Sequence, residues 1–223
     1  MRVTNCRLLS LSLILLFASS SAHAQTIVNS SQYQTCTELA RTDPSKALLM
    51  ADDWSRKENT ASAHHCRAIS LFALKRYSDA GEALERLSFM ITQSNLMLWS
   101  NVLRQAAKAW ELDGDKARAI VVLTKAILPT AEEGLDNPTF GRLAAELLLA
   151  RSDMYQKAGR TLYAIQDLDQ GLMLSPTHHK LRLARASLFM QKNEMTLAKQ
   201  DLQMVLQQQP DNPEAQIMLS RIR

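Results

Sequence analysis

Glycine, proline and aromatic side chains are scarce in this sequence. Its 223 residues include 6 Gly and 6 Pro, and aromatics make up 5%. Sandwiches and barrels rich in turns need more of all three, which argues against an all-β architecture. Charge of one sign is scarce too. The 26 Lys and Arg stand against 22 Asp and Glu, no five like charges run together, and no basic stripe carries interleaved aromatics. Nucleic acid is therefore not expected as a partner. What remains abundant is Leu, Ala, Gln, Met, Lys, Arg and Glu, all good helix formers. With 46% hydrophobic residues the chain can bury a core. The expectation is an all-α protein.

The first residues read differently from the rest. Arg2 and Arg7 precede an apolar stretch over 8–17, and "ASSSAHA" follows with small residues at Ala22 and Ala24. This is the pattern of a secretory signal over 1–24, cut after Ala24. The apolar stretch is half of the roughly 20 residues a membrane span needs, so no stable span is expected once the signal is removed. No cysteine stands directly after the cut, so a lipid anchor is not expected either. The mature chain then begins at Gln25 and is exported, with the periplasm of a Gram-negative bacterium as its expected compartment. Cys6 leaves with the signal, as do two of the four net positive charges. Cys36 and Cys66 remain. In an oxidising compartment an even count suggests a disulfide; the alternative is two buried thiols.

The chain repeats itself. "LLLARSDMYQKAGRTLYAIQDLDQGLMLSP" occupies 147–176, and "LRLARASLFMQKNEMTLAKQDLQMVLQQQP" occupies 181–210. The offset of thirty-four is a sign of stacked helical hairpins. The pattern extends backwards. Ala68, Ala107, Ser152 and Ala186 are equivalent small residues on the first helix of each hairpin. Trp110, Tyr155 and Phe189 are equivalent large ones. On the second helix Ala80, Ala119, Ala164 and Ala198 recur, followed by Leu84, Leu123, Leu168 and Leu202. Small residues let helix backbones approach, and large ones fill the space between layers. Gly114, Gly159 and Asn193 fall at hairpin turns. Asp43-Pro44, Asn137-Pro138 and Asn212-Pro213 each place a cap before a proline suited to the first helical position.

These small, large, Gly, Ala, Leu and Pro positions resemble the tetratricopeptide repeat family. The resemblance covers roughly 61–210. It implies an all-α, right-handed superhelical solenoid of antiparallel helix pairs. The expected organisation is a degenerate first hairpin over 25–60, then repeats at about 61–94, 100–133, 145–178 and 179–212. A short capping helix over 213–223 closes the array. Two insertions, "SNLML" and "EGLDNPTFGRL", interrupt the spacing, and the helix after Pro138 is expected to run long, to Lys157.

Such arrays curve, and the first helices line the concave face. The period places His65, Ile69 and Phe72 there, then Asn101, Arg104, Lys108 and Glu111, then Glu146, Leu149, Asp153 and Gln156, then Leu183, Ser187 and Met190. That face is apolar at both ends, basic in the third unit and acidic in the fourth. A peptide or a partner helix is the expected occupant. Arg151 lies opposite Asp167 across one hairpin, and Arg185 opposite Asp201 across the next. An internal salt bridge is one reading of each pair. An arginine kept for a ligand carboxylate is the other. His178-His179 falls at a repeat junction and is expected to face solvent.

Signatures of catalysis are missing. No Gly-rich phosphate loop, nucleophile elbow or zinc-protease helix motif occurs. "HHC" at His64, His65 and Cys66 is the one suggestive cluster, and with Cys36 it defines the alternative, a metal-dependent or accessory enzyme component. The main expectation is a non-catalytic adaptor or scaffold without cofactor or metal. Nothing in the sequence specifies an oligomeric state.

Overall fold

The computed structural model describes residues 30–91 and 95–222. The expected signal over 1–24 lies outside them. Among the described residues eleven α-helices follow one another. The first helices of five successive hairpins are α1 (Ser31–Thr42), α3 (Ala61–Ala73), α5 (Leu96–Asp113), α7 (Pro138–Lys157) and α9 (His179–Gln191). Their partners are α2 (Pro44–Lys57), α4 (Tyr77–Ser88), α6 (Lys116–Glu133), α8 (Thr161–Leu174) and α10 (Met195–Gln208). A short helix, α11 (Pro213–Ser220), ends the stack.

The helix boundaries follow from local chemistry. Asp43, Asn137 and Asn212 each accept a backbone N–H of the helix that follows, and proline stands next at a position where its missing N–H costs nothing. Ser30, Thr60, Asn95 and Asp115 cap α1, α3, α5 and α6 in the same way. The hairpin turns use left-handed backbone at Gly114 (φ 93°), Gly159 (φ 73°) and Asn193 (φ 62°). In the second hairpin that conformation falls on Lys75 (φ 60°), which carries a Cβ.

Packing explains the repeating alanines. Ala47, Ala80, Ala119, Ala164 and Ala198 are all fully buried, and so are the leucines at 84, 123, 168 and 202. Trp110 lies so flat against Gly81 that a Cβ there would sit 2.6 Å from the indole. Where α6 turns into α7, an added Cβ on Gly134 would come 2.8 Å from the backbone of Gly141, and one on Gly141 would come 2.9 Å from the Leu174 carbonyl oxygen. The second insertion is therefore a tight joint between α6, α7 and the end of α8. Upstream of it, α6 runs through Pro129. The turn around this proline is held by Thr130 Oγ, which donates to the Ala126 carbonyl (2.7 Å) and meets Ser100 Oγ (2.7 Å).

Polar side chains tie each layer to the next. Arg151 makes two bonds to Asp167 within its own hairpin (2.6 and 2.9 Å), and Arg185 does the same with Asp201 (2.7 and 2.8 Å). The salt-bridge reading of these pairs is the observed one. Each arginine also reaches back to the preceding hairpin, Arg151 to Thr124 (2.9 Å) and Arg185 to Asp169 (2.6 Å). Both acceptors lie five residues after a packing alanine. Asp52 and Glu85 occupy the same place in the first two hairpins, and there they accept from Arg67 (2.8 Å) and the Trp110 indole N–H (2.7 Å). One position on the second helix thus accepts from the next first helix four times running.

The first hairpin is joined differently. Cys36 of α1 and Cys66 of α3 form a disulfide, with Cα atoms 6.0 Å apart. They sit in a separate small core with Ala51, Trp54 and Ala63. At the other end, Ala215 of α11 is buried against Leu183, Ala186, Leu202 and Val205.

Candidate functional site

The first helices of the third, fourth and fifth hairpins enclose a groove of about 1400 Å³. Helix α5 contributes Arg104, Gln105, Lys108 and Glu111. The length of α7 contributes Pro138, Arg142, Glu146, Leu149, Asp153 and Gln156. The turn from α8 into α9, residues 175–180, forms the remaining wall, with Ala184 and Leu188 behind it.

Charges in the groove fall into two groups. Glu111 accepts from Lys108 (2.7 Å) and from Lys157, and Lys157 also bonds Asp153 (2.6 Å). Burial pushes the Glu111 carboxyl up, but its two ammonium partners outweigh this and hold it below the usual range. These carboxylates are therefore already neutralised by the chain. The cations Arg104, Arg142 and Lys180 are not. Arg104 donates to Asn101 Oδ1 (3.0 Å), and among the described residues no carboxylate pairs with any of the three. Glu146 stands among them, and among the described residues it too has no ion pair. His178 and His179 stack with ring centroids 6.2 Å apart. His178 Nδ1 is buried with no hydrogen-bond partner. Burial lowers the His178 pKa and Glu146 partly offsets this, so the ring is held towards its neutral form.

Seven of the expected face residues line this groove: Arg104, Lys108, Glu111, Glu146, Leu149, Asp153 and Gln156. The other seven do not. His65 is buried, with Nδ1 2.6 Å from the Tyr33 hydroxyl and Nε2 3.0 Å from Gln105 Oε1. Helices α1 and α5 cover it from both sides, so it has no free surface for a ligand. Leu183 is 5% exposed and belongs to the terminal core with Ala215. Met190 packs against that same core. Phe72 meets Tyr77 edge-on at 5.4 Å, Asn101 donates to the Met97 carbonyl (2.9 Å), and Ile69 is half-buried. Ser187 lies beside Gln191, outside the groove.

Sequence reasoning missed Gln105, Arg142, Lys180 and the two histidines. His178-His179, expected in solvent, is half-buried in the groove wall. Arg142 could have been found, because it lies four residues before Glu146 on one face of a helix. The alternative metal cluster is not assembled. Cys66 is spent in the disulfide, His64 Nε2 is 2.6 Å from Asn59 Oδ1, and both ring nitrogens of His65 are engaged inside the core.

The sequence matches no protein-family model, and no curated protein matches it. Solved structures do resemble it. MamA from Desulfovibrio magneticus RS-1 is similar with a TM-score of 0.59 and 14% identity, over 83% of this chain and 99% of that one. YrrB, described as a TPR protein with an unusual peptide-binding site, aligns with a TM-score of 0.58 and 14% identity, over 83% of this chain and 89% of its own. TTC0263 from Thermus thermophilus, a thermophilic TPR protein, gives 0.50 and 22% identity, over 85% and 95%. Repeat spacing, stacked hairpins and these neighbours agree that the chain has the fold of the tetratricopeptide-repeat proteins.

Proposed function

We propose that this chain is a non-catalytic interaction module, an adaptor or scaffold of the bacterial cell envelope. Its groove holds an extended peptide or a partner helix carrying acidic side chains. One observation carries this reading. The carboxylates Glu111 and Asp153 are occupied by the protein's own lysines, whereas Arg104, Arg142 and Lys180 are open to an incoming anion. Arginine and lysine in a groove of apolar floor give orientation and specificity, while Leu149 and Ala184 supply area to be desolvated. The peptide-binding site named for YrrB, a protein of similar fold, supports the class of ligand. The signal-like N-terminus and the disulfide support an oxidising compartment outside the cytoplasm.

The test is capture of partners from a native envelope extract by the intact exported chain and by an Arg104→Glu, Arg142→Glu variant. Among the described residues neither arginine is in an ion pair, so the variant should melt with the parent. The parent should retain a partner that the variant loses by about tenfold or more, the scale of two charge reversals in a contact. Equal capture by both proteins would remove the groove from the account.

A further inference from the structure

Helix α5 has a second working side. Trp99 and Lys108 lie nine residues apart on it, about two and a half turns, and so point in opposite directions. Lys108 faces the groove. Trp99 walls a separate cavity of about 500 Å³ between the start of α5 and the end of α6. Leu96 and Pro129 complete its apolar wall, and Glu132, Glu133 and Asp136 form its rim. It shares no lining residue with the groove.

Trp99 differs from the other two tryptophans. Trp54 and Trp110 are buried and donate their indole N–H to Glu58 and Glu85. Trp99 is half-exposed, and among the described residues nothing accepts its N–H. Large apolar side chains are exposed nearby in the chain: Phe89 at 79%, Leu128 at 75% and Leu135 at 75%. Val121, Lys125, Leu128 and Glu132 follow one another at three- and four-residue spacing, so they form a single stripe on α6. Exposed apolar surface of this kind, rimmed by polar residues, marks an interaction site.

The chemistry of the occupant can be read from the patch. Lys125 already holds its ammonium 4.4 Å from the Phe89 ring centre and 5.7 Å from that of Trp99. The rings thus accept a cation. Three carboxylates line the cavity, and among the described residues none of the three is in an ion pair. The uncompensated charge is negative. An anionic lipid surface would be repelled.

We propose that this pocket docks a Lys- or Arg-bearing amphipathic segment of a partner protein. The cation sits between the Trp99 indole and the rim carboxylates, and the segment's apolar residues cover Leu128 and Leu135. The chain is then two-sided, with an acidic ligand in the groove and a basic one behind it. The second site does not depend on the first.

Calorimetric titration of the full chain with a synthetic amphipathic Leu–Lys peptide tests this. A Leu–Glu peptide of the same pattern is the control. The Leu–Lys peptide should bind, and more weakly as salt rises, whereas the Leu–Glu peptide should not bind once the groove is closed to it by Arg104→Glu with Arg142→Glu. A Glu132→Gln, Glu133→Gln, Asp136→Asn variant, altered only at exposed positions, should bind about tenfold more weakly. Trp99→Ala should cost about threefold. Arg104→Glu with Arg142→Glu should change nothing here. Equal binding of the Leu–Lys peptide by the triple variant, equal binding of the two peptides by the groove variant, or a loss confined to the groove variant would overturn the proposal.

Discussion

The two ends of this array solve one problem with different chemistry. At the C-terminal end, Arg185 joins α9 to α10 through Asp201 and to α8 through Asp169. At the N-terminal end, Arg67 keeps the backward bond to Asp52 but has Ala83 where the forward aspartate would stand. A covalent bond between Cys36 and Cys66 joins α1 to α3 there. Between the ends, the third hairpin has neither device. Ala106 and Val122 occupy the arginine and aspartate positions and pack directly in the core. An ion pair and apolar packing fill the same place within different hairpins, and the disulfide ties two successive first helices instead, so the fold does not require an ion pair there.

The largest effect expected from breaking these ties is at Asp201. It is 3% exposed and receives both Arg182 and Arg185. Asp201→Ala leaves two half-buried guanidinium groups with only Asp169 and the Pro176 carbonyl as partners among the described residues, which costs about 3–4 kcal/mol. Because each hairpin touches only its neighbours, the loss should stay local. Hydrogen exchange should accelerate in α9 to α11 and remain unchanged in α1 to α3. Uniform acceleration would show that the array does not behave as a stack.

Opening the disulfide should cost somewhat less. The bond spans a sequence separation of 30, and closing a loop of that size is worth about 3 kcal/mol in the chain-entropy model. Cys36→Ser with Cys66→Ser should loosen α1 and α2 selectively, as read by exchange or limited proteolysis. The unaltered exported protein should show no free thiol at either position when denatured.

A substitution that copies one hairpin onto another sharpens the comparison further. Arg151→Met with Asp167→Val gives the fourth hairpin an apolar interface like that of the third. The pair should change stability by about 1 kcal/mol or less, far below the cost of Asp167→Ala alone, because no charge is left buried. A double variant as unstable as the single one would mean that the arginine is needed for more than its partner.

The smallest effect concerns pH. Burial holds the His65 pKa below its ordinary value, with the Gln105 bond opposing in part. Above about pH 6.5 the ring is neutral in folded and unfolded chains alike, and its contribution is complete. Below that, the unfolded chain takes up a proton that the folded site resists, so stability falls as pH falls. The melting temperature of a His65→Gln variant should therefore drop less between about pH 7 and pH 5 than that of the parent. An identical slope would place the pH dependence elsewhere, at His64 and His178, which burial shifts in the same direction.

Residues that do the same work in every hairpin were legible in the sequence. The packing alanines and leucines recur because every interface has the same shape, and the caps before Pro44, Pro138 and Pro213 are local chemistry. The groove was half legible. Period alone gave the inward face of α5 and α7, but Arg142 lies on an extension of α7 and 175–180 on a connecting turn, neither of which has a repeat position. The backward ladder escaped notice because its acceptor changes identity, from Asp52 to Glu85 to Thr124 to Asp169, while its place stays fixed. His65 was assigned to the open face by position. The first hairpin stacks over it, and only three-dimensional coverage reveals that.

Gly141 shows what a linear stack demands of its joints. In a globular core a misplaced residue is surrounded, and neighbours on all sides share the error. Here α6, α7 and α8 meet at a residue with no side chain, and α9 packs on α7 and α8 beyond that meeting point. The arrangement is a lever. A methyl group at the pivot would prise the joint slightly and swing the far arm by more. The spacing between α5 and α9, and so the width available to a ligand, then depends in part on the smallest residue type, at a point outside the groove lining.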